Sequence, residues 1–223
     1  MKLLSLVVVV ACVGLVGGCG VQSLLLGSDG SQLLTVADAL ALPGEEVWLQ
    51  ARCQAGDFLK PQSGYVVKFY HDDRLIQSAE TDAAGVASVP FTPTRPGDYR
   101  ITVEVSAAGM AEKPPKNQDI LIACRDARAS LVVVDMDKTI VASGFQTVLL
   151  GDPTPMARSA EVLAELSKKH SIIYLTHRPD YFGIKSRAWL RDNDFPAGPL
   201  LLSSISGFLK GSGALEMALG LNQ

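Results

Sequence analysis

The sequence of 223 residues has no excess of positive charge: 20 Lys and Arg stand against 23 Asp and Glu, a formal net charge of −3. With a pI near 5.6 and no basic stripe, it lacks the electrostatic footprint of a nucleic-acid binder. Its apolar N-terminal run, Leu3 to Val16, is too short to cross a bilayer. Histidine is scarce at 3 residues, and His71 sits alone in a turn, where a solvated side chain is expected rather than a ligand. The chain also has only 4 cysteines, too few for a disulfide scaffold. What is left is ordinary for a globular protein, 48% apolar and 19% charged, with length for one domain or two.

The N-terminus departs from that average. Lys2 precedes the short apolar run, which ends at Val16-Gly17-Gly18-Cys19. A positive start, a short apolar region and a small-residue ending make a cleavable export signal. The small-small-Cys ending resembles the lipobox of bacterial lipoproteins, which implies residues 1–18 as signal peptide and Cys19 as a lipidated first residue. Residues 19–32 then form a tether. Cys12 leaves too little apolar length before it. An ordinary secretory signal or an uncleaved anchor is the plainer alternative. The resemblance implies a lipid-anchored location in the cell envelope, and Gly20 after the cysteine points to the outer membrane.

From residue 33 to 124 short alternating segments are separated by turn formers. Val47, Leu49, Ala51 and Cys53 share one parity, and Val67 with Phe69, Val89 with Phe91, and Tyr99, Ile101, Val103 and Val105 repeat the pattern. Strands at this spacing predict a β-sandwich. Thr81-Asp82-Ala83-Ala84-Gly85 and Pro96-Gly97-Asp98-Tyr99 resemble the turns of bacterial immunoglobulin-like domains, with Tyr99 placed for a tyrosine corner. No residue here carries chemistry, and the expected role is a spacer or a module binding an unknown ligand. Cys53 and Cys124 both have inward parity. In an exported compartment they are either bridged or two separate buried thiols.

From residue 125 to 223 strands alternate with helical patterns, which predicts a parallel α/β sheet. Thr154 with Pro155 reads as a helix start, and Ala160, Leu163 and Leu166 fall on one face of that helix. Ser171–Thr176 reads as a second strand, 182–193 as a second helix and Leu200–Leu202 as a third strand. The most informative stretch opens this half. Leu131-Val132-Val133-Val134 is an apolar strand stopping at Asp135-Met136-Asp137-Lys138-Thr139, so two carboxylates converge at the carboxyl end of a parallel strand, where open sheets bind ligands.

Asp135-x-Asp137-x-Thr139 resembles the nucleophile loop of the haloacid dehalogenase superfamily. Ser171 to Thr176 is similar to its second motif, and Lys210 lies where its third-motif lysine is expected. Tyr174-Leu175-Thr176-His177-Arg178-Pro179, then Trp189-Leu190 and Gly198 to Ser203, look like the lipin-type phosphatase branch. The resemblance implies that Asp135 attacks phosphorus and that Asp137 serves as acid and base. It implies that Thr176 and Lys210 bind the phosphate, and that Asp135 with Asp137 holds Mg²⁺. His177 and Arg178 stand beside the site without an assigned task. The gaps between these motifs are too short for a cap domain, which implies an open site and a large or membrane-surface substrate, such as a phosphorylated lipid.

Lys138 stands where many members of that superfamily have glycine or aspartate. After Lys210 only Glu216 is acidic, so the fourth motif, which completes the metal site, is missing. The expectation is a capless parallel-sheet domain, truncated at its C-terminus and a weak catalyst, with the nucleophile strand at a sheet edge. The alternative is a surface binding or adhesion lipoprotein whose phosphatase-like half is inactive.

Overall fold

The computed structural model describes residues 32–56, 58–106, 113–143 and 153–203. Alternation of apolar and polar residues drives the first half into two packed sheets. In one, β3 (Val47–Ala55) is antiparallel to β1 (Gln32–Val36), β4 (Lys60–Pro61) and β7 (Val86–Phe91). In the other the order is β2 (Ala39–Ala41), β9 (Gln118–Cys124), β8 (Gly97–Val105), β5 (Val66–His71) and β6 (Arg74–Glu80). Only the β2–β9 pairing of this sheet is parallel. Leu49, Ala51, Cys53, Val67, Phe69, Val89, Ile101, Val103, Ile120 and Ile122 fill the space between the sheets. The sandwich expected from the alternation is present.

The Tyr99 hydroxyl donates to the Arg95 carbonyl at 3.0 Å and accepts from the Arg95 amide at 3.1 Å, which is a tyrosine corner. In the Asp82 turn the side-chain Oδ1 accepts from the Ala84 and Val86 amides at 2.8 and 2.9 Å. Gly85 there has φ +74°, and a Cβ would lie 2.5 Å from the Cys53 carbonyl. His71 is not the free solvated side chain that was expected. It is half-buried, with ring centroids 5.4 Å from Tyr99 and 6.1 Å from Phe91, because the end of β5 lays it against two rings that pack on the core.

Cys53 and Cys124 are separate thiols, not a disulfide. Cys53 lies on β3 in the first sheet and packs into the core, while Cys124 ends β9 in the second sheet opposite Ala41 and Gly97. Burial pushes the Cys53 thiol up to about 12 and raises Cys124 as well. Neither is then a nucleophile at neutral pH. The unfolded chain releases the Cys53 proton near the ordinary value of 9.0 and the folded chain near 12. The thiol's contribution to stability is therefore lost as pH rises across that window. An alkylating reagent is expected to label both thiols in denaturant without reductant, and neither at an appreciable rate in the native protein at pH 7. Two unlabelled cysteines in denaturant would restore the bridge.

The second half forms a parallel sheet in the order β10 (Leu131–Asp135), β11 (Ser171–Pro179), β12 (Leu200–Ser203). Helix α1 (Ser159–Ser167) connects the first two strands, and a short 3₁₀ turn (Asp180–Phe182) followed by α2 (Gly183–Asp192) connects the last two. Val134, Met136, Ile140, Val141, Leu163, Ile172, Tyr174, Trp189, Leu190, Phe195 and Leu200 make the core. Gly198 lets the chain pass against β11, since a Cβ would stand 2.2 Å from the Ile172 carbonyl. Among the described residues β10 is an edge strand, with Leu131 and Val133 exposed.

Two local expectations are corrected. Thr154 does not cap a helix. Its carbonyl accepts from the Ala142 amide and its Oγ1 lies 2.9 Å from Ser143 Oγ, as part of a short pairing that also joins Val141 to Pro155. This tertiary pairing overrides the local start signal, and α1 begins only at Ser159, behind Arg158 in the left-handed region (φ 62°). The second strand also runs past Thr176 to Pro179, with a register shift between those two residues.

The two halves are docked against each other. Asp38, between β1 and β2, accepts from the Leu121 amide of β9 and the Leu200 amide of β12, each at 2.9 Å, and from Arg187 Nη2 of α2 at 3.1 Å. Arg52 of β3 pairs with Asp180 at 2.5 Å. Arg125 joins Asp98 at 2.5 Å to Ser171 at 2.6 Å. Leu33 and Leu59 pack against Tyr181, Phe182 and Ile184.

Candidate active site

The site is built by a loop whose apolar residues anchor it from below. Met136, Ile140 and Val141 are buried, and the Met136 carbonyl accepts from the Ile140 and Val141 amides at 3.1 and 2.9 Å. This curls the chain tightly past the end of β10. Lys138 takes φ 65° to make the turn, a conformation in which glycine carries no Cβ penalty. The loop leaves Asp135 exposed at the strand end and Asp137 half-exposed one step beyond.

Asp137 is clamped. Arg178 Nη2 donates to its Oδ1 at 2.7 Å and Arg178 Nε to its Oδ2 at 3.1 Å, a two-pronged charge-assisted contact. Thr176 Oγ1 donates to the same Oδ2 at 3.1 Å and accepts from the Arg178 amide at 3.2 Å. The remaining arm of the guanidinium, Nη1, donates to Ser186 Oγ of α2 at 3.0 Å. Arg178 is only 4% exposed, so its charge depends on Asp137 for compensation. Asp135 behaves differently. Partial burial raises its carboxyl above the ordinary value and the Asp137 charge adds to the rise, while the Met136 amide, His177 and Arg178 hold it down.

Of the residues singled out in the sequence, Asp135, Asp137 and Thr176 come together here. Thr176 is engaged with Asp137 and the Arg178 amide. Lys210 and Cys19 lie outside the described residues. Arg178 was placed beside the site without a task, and the structure gives it a central position. A signal for it was present: Thr176 and Arg178 share parity on an extended segment, and Pro179 keeps the residue before it extended. Ser186 had no such signal, because its partnership spans a helix.

Mg²⁺ is the cation that the motif implies. Asp135 and the Asp137 carbonyl are hard oxygen donors, which suit a cation that keeps several waters. Among the described residues no cluster of three or more His, Cys, Asp or Glu is placed to hold a metal.

The chain therefore combines an all-β sandwich with a C-terminal α/β unit carrying an acidic loop at a strand end. The model of the LNS2 domain of PITM 1-3 matches residues 132–212, which takes in β10 through β12 and the acidic loop. No curated protein matches the chain. Solved structures similar to it include the CARDB domain from Pyrococcus furiosus, at 15% identity over 42% of this chain and 97% of that one, with a TM-score of 0.30. Fibronectin(III)-like modules of CbhA from Clostridium thermocellum match at 18% identity over 41% of this chain and 94% of that one, with a TM-score of 0.28. The D0-D1 domain of Intimin matches at 21% identity over 43% of this chain and 48% of that one, with a TM-score of 0.31.

Proposed function

We propose that the α/β unit is a Mg²⁺-dependent phosphomonoesterase working through an aspartyl-phosphate on Asp135, held at a membrane surface by a lipid on Cys19. The observation that carries this reading is the pair of carboxylates at the end of β10, one exposed and one fixed by Arg178 and Thr176. The LNS2 match over the same residues supports a lipin-like phosphatase. Asp135 attacks phosphorus, the ester P–O bond breaks, and the leaving alkoxide takes a proton from Asp137. Water then attacks the aspartyl-phosphate as Asp137 takes its proton. Two Arg178 N–H groups and the Thr176 hydroxyl fix the Asp137 carboxyl beside Asp135 for this exchange. Asp135 and the Asp137 carbonyl would hold Mg²⁺, which when bound would supply positive charge against the repulsion between a carboxylate and a phosphate dianion. An anchored enzyme with an open site suits a phosphorylated lipid.

A second reading has its own observation. Both Asp137 oxygens are occupied, and no three-acid group lies among the described residues. This favours a surface lipoprotein that binds a phosphate monoester without turning it over.

One experiment separates the two. Membranes carrying the full-length protein are assayed for phosphate release from p-nitrophenyl phosphate and from short-chain phosphatidate, with EDTA and then with excess Mg²⁺. Release lost in EDTA and regained with Mg²⁺ is expected, and Cys19→Ser should move the activity into the soluble fraction. Retention of the substrate without release in any condition favours the second reading.

A further inference from the structure

The position of Arg178 is not explained by its own sheet. The regular pairing of β11 with β12 ends at Thr176–Leu202, and the register slips before Pro179 meets Ser203. Pro179 has no amide to continue the ladder. Within the α/β unit the segment is stitched by Ser203 Oγ to the His177 carbonyl at 2.8 Å. It is also held there by Ser203 Oγ on the Arg178 carbonyl at 3.4 Å and by the Arg178 amide on Thr176 Oγ1 at 3.2 Å, and further fastenings come from the sandwich. Asp180, two residues past Arg178, pairs with Arg52, which lies 128 positions earlier in the chain. Tyr181, Phe182 and Ile184 pack on Leu33 and Leu59. Ser186, which takes the third arm of Arg178, is followed on α2 by Arg187, which donates to Asp38 at 3.1 Å and to the Val36 carbonyl at 3.2 Å.

We propose that the sandwich is a working part of the candidate active site, with Arg52 and Asp38 as positioning residues that keep the 178–187 segment where Arg178 can hold Asp137. All three sets of contacts fall between the last regular rung of β11 and the middle of α2, the stretch that carries both Arg178 and the hydroxyl that orients it. A guanidinium fixed at one end by Ser186 and at the other by Asp137 follows any shift of that stretch. The kinetic arm of this inference rests on the phosphatase reading; its structural arm does not.

The test uses the full-length chain with Arg52→Ala, Arg52→Lys, and the charge-exchanged pair Arg52→Asp with Asp180→Arg. Arg100→Ala serves as control, since it breaks an ion pair confined to the sandwich, Arg100–Asp119. Amide hydrogen exchange over residues 177–187 is read beside kcat and KM. Arg52→Ala should speed exchange in that segment while the β8 and β9 amides keep parent rates. It should lower kcat by roughly 10- to 100-fold with little change in KM, the scale expected when reacting groups are misplaced by about 1 Å. The exchanged pair and Arg52→Lys should recover most of both effects, and Arg100→Ala should change neither. Parent exchange rates in 177–187 for Arg52→Ala would overturn the proposal, as would unchanged kcat in an enzyme that Asp135→Asn inactivates. If the parent protein shows no turnover, the phosphatase reading fails and the exchange arm alone decides this one.

Discussion

Asp135→Asn is expected to remove phosphate release by a factor on the order of 10³ or more while leaving the protein as stable as the parent or slightly more so. The two halves of that result have one cause. An amide oxygen at position 135 cannot form the acyl-phosphate, so the nucleophilic step disappears, yet Asn fills almost the same volume at an exposed strand end. The ionised parent carboxylate is held there at a cost. Burial and the Asp137 charge both raise its protonation tendency in the folded state. A group raised on folding contributes stability below its unfolded titration and loses it as pH rises through the folded one. At neutral pH the charge therefore opposes folding, and Asn relieves it, as expected where activity and stability trade against each other. The measurement is a pair: initial rates with Mg²⁺, and a denaturant midpoint. A variant that hydrolyses at the parent rate would refute Asp135 as nucleophile, and a dead variant that is also strongly destabilised would leave the loss attributable to misfolding.

The acidic loop was readable because its chemistry is local. Asp135 and Asp137 sit two apart at the end of an apolar run, and the geometry of one strand end brings them together. The tyrosine corner at Tyr99 was readable for the same reason, since its partner lies four residues away. Thr154 shows where local reasoning fails: the residue has a capping side chain and a following proline, but pairing with Ser143 and Ala142 on another segment takes its polar groups. Arg178 falls between these cases. Its side of the strand followed from parity, whereas its task depended on a loop 41 positions earlier. Cys53 and Cys124 mark the same limit, because inward parity on two strands does not place two sulfurs in one sheet. The docking residues were hidden most completely. Asp38, Arg52, Asp180 and Arg187 are unremarkable charges in sequence, and their partners lie as far as 162 positions away.

Asp38→Ala is expected to be the most destabilising single substitution among these polar residues. The Asp38 side chain is 3% exposed and accepts three hydrogen bonds from three elements: the Leu121 amide of the sandwich, the Leu200 amide that starts β12, and the Arg187 guanidinium. Among the described residues, removing the carboxylate strands two backbone donors at the interface and leaves Arg187 with the Val36 carbonyl alone, beside a buried Nε that already lacks a partner there. Breaking a buried charge pair from one side costs about 3–5 kcal/mol, a large share of the 5–15 kcal/mol that about spans typical domain stabilities. Asp38→Asn keeps the volume and one acceptor but turns two N–H groups toward donors, so an intermediate cost is expected. Because the lost bonds hold one half of the chain to the other, the form of unfolding should also change. The parent is expected to unfold in one transition by circular dichroism and by Trp189 fluorescence alike. In Asp38→Ala, read in a Trp48→Phe background because Trp48 lies on β3 of the sandwich, the Trp189 fluorescence change, which reports the α/β core, should come at lower denaturant than the sandwich transition. Coincident transitions shifted by less than about 1 kcal/mol, the worth of one ordinary hydrogen bond, would show that the carboxylate does not hold the halves together.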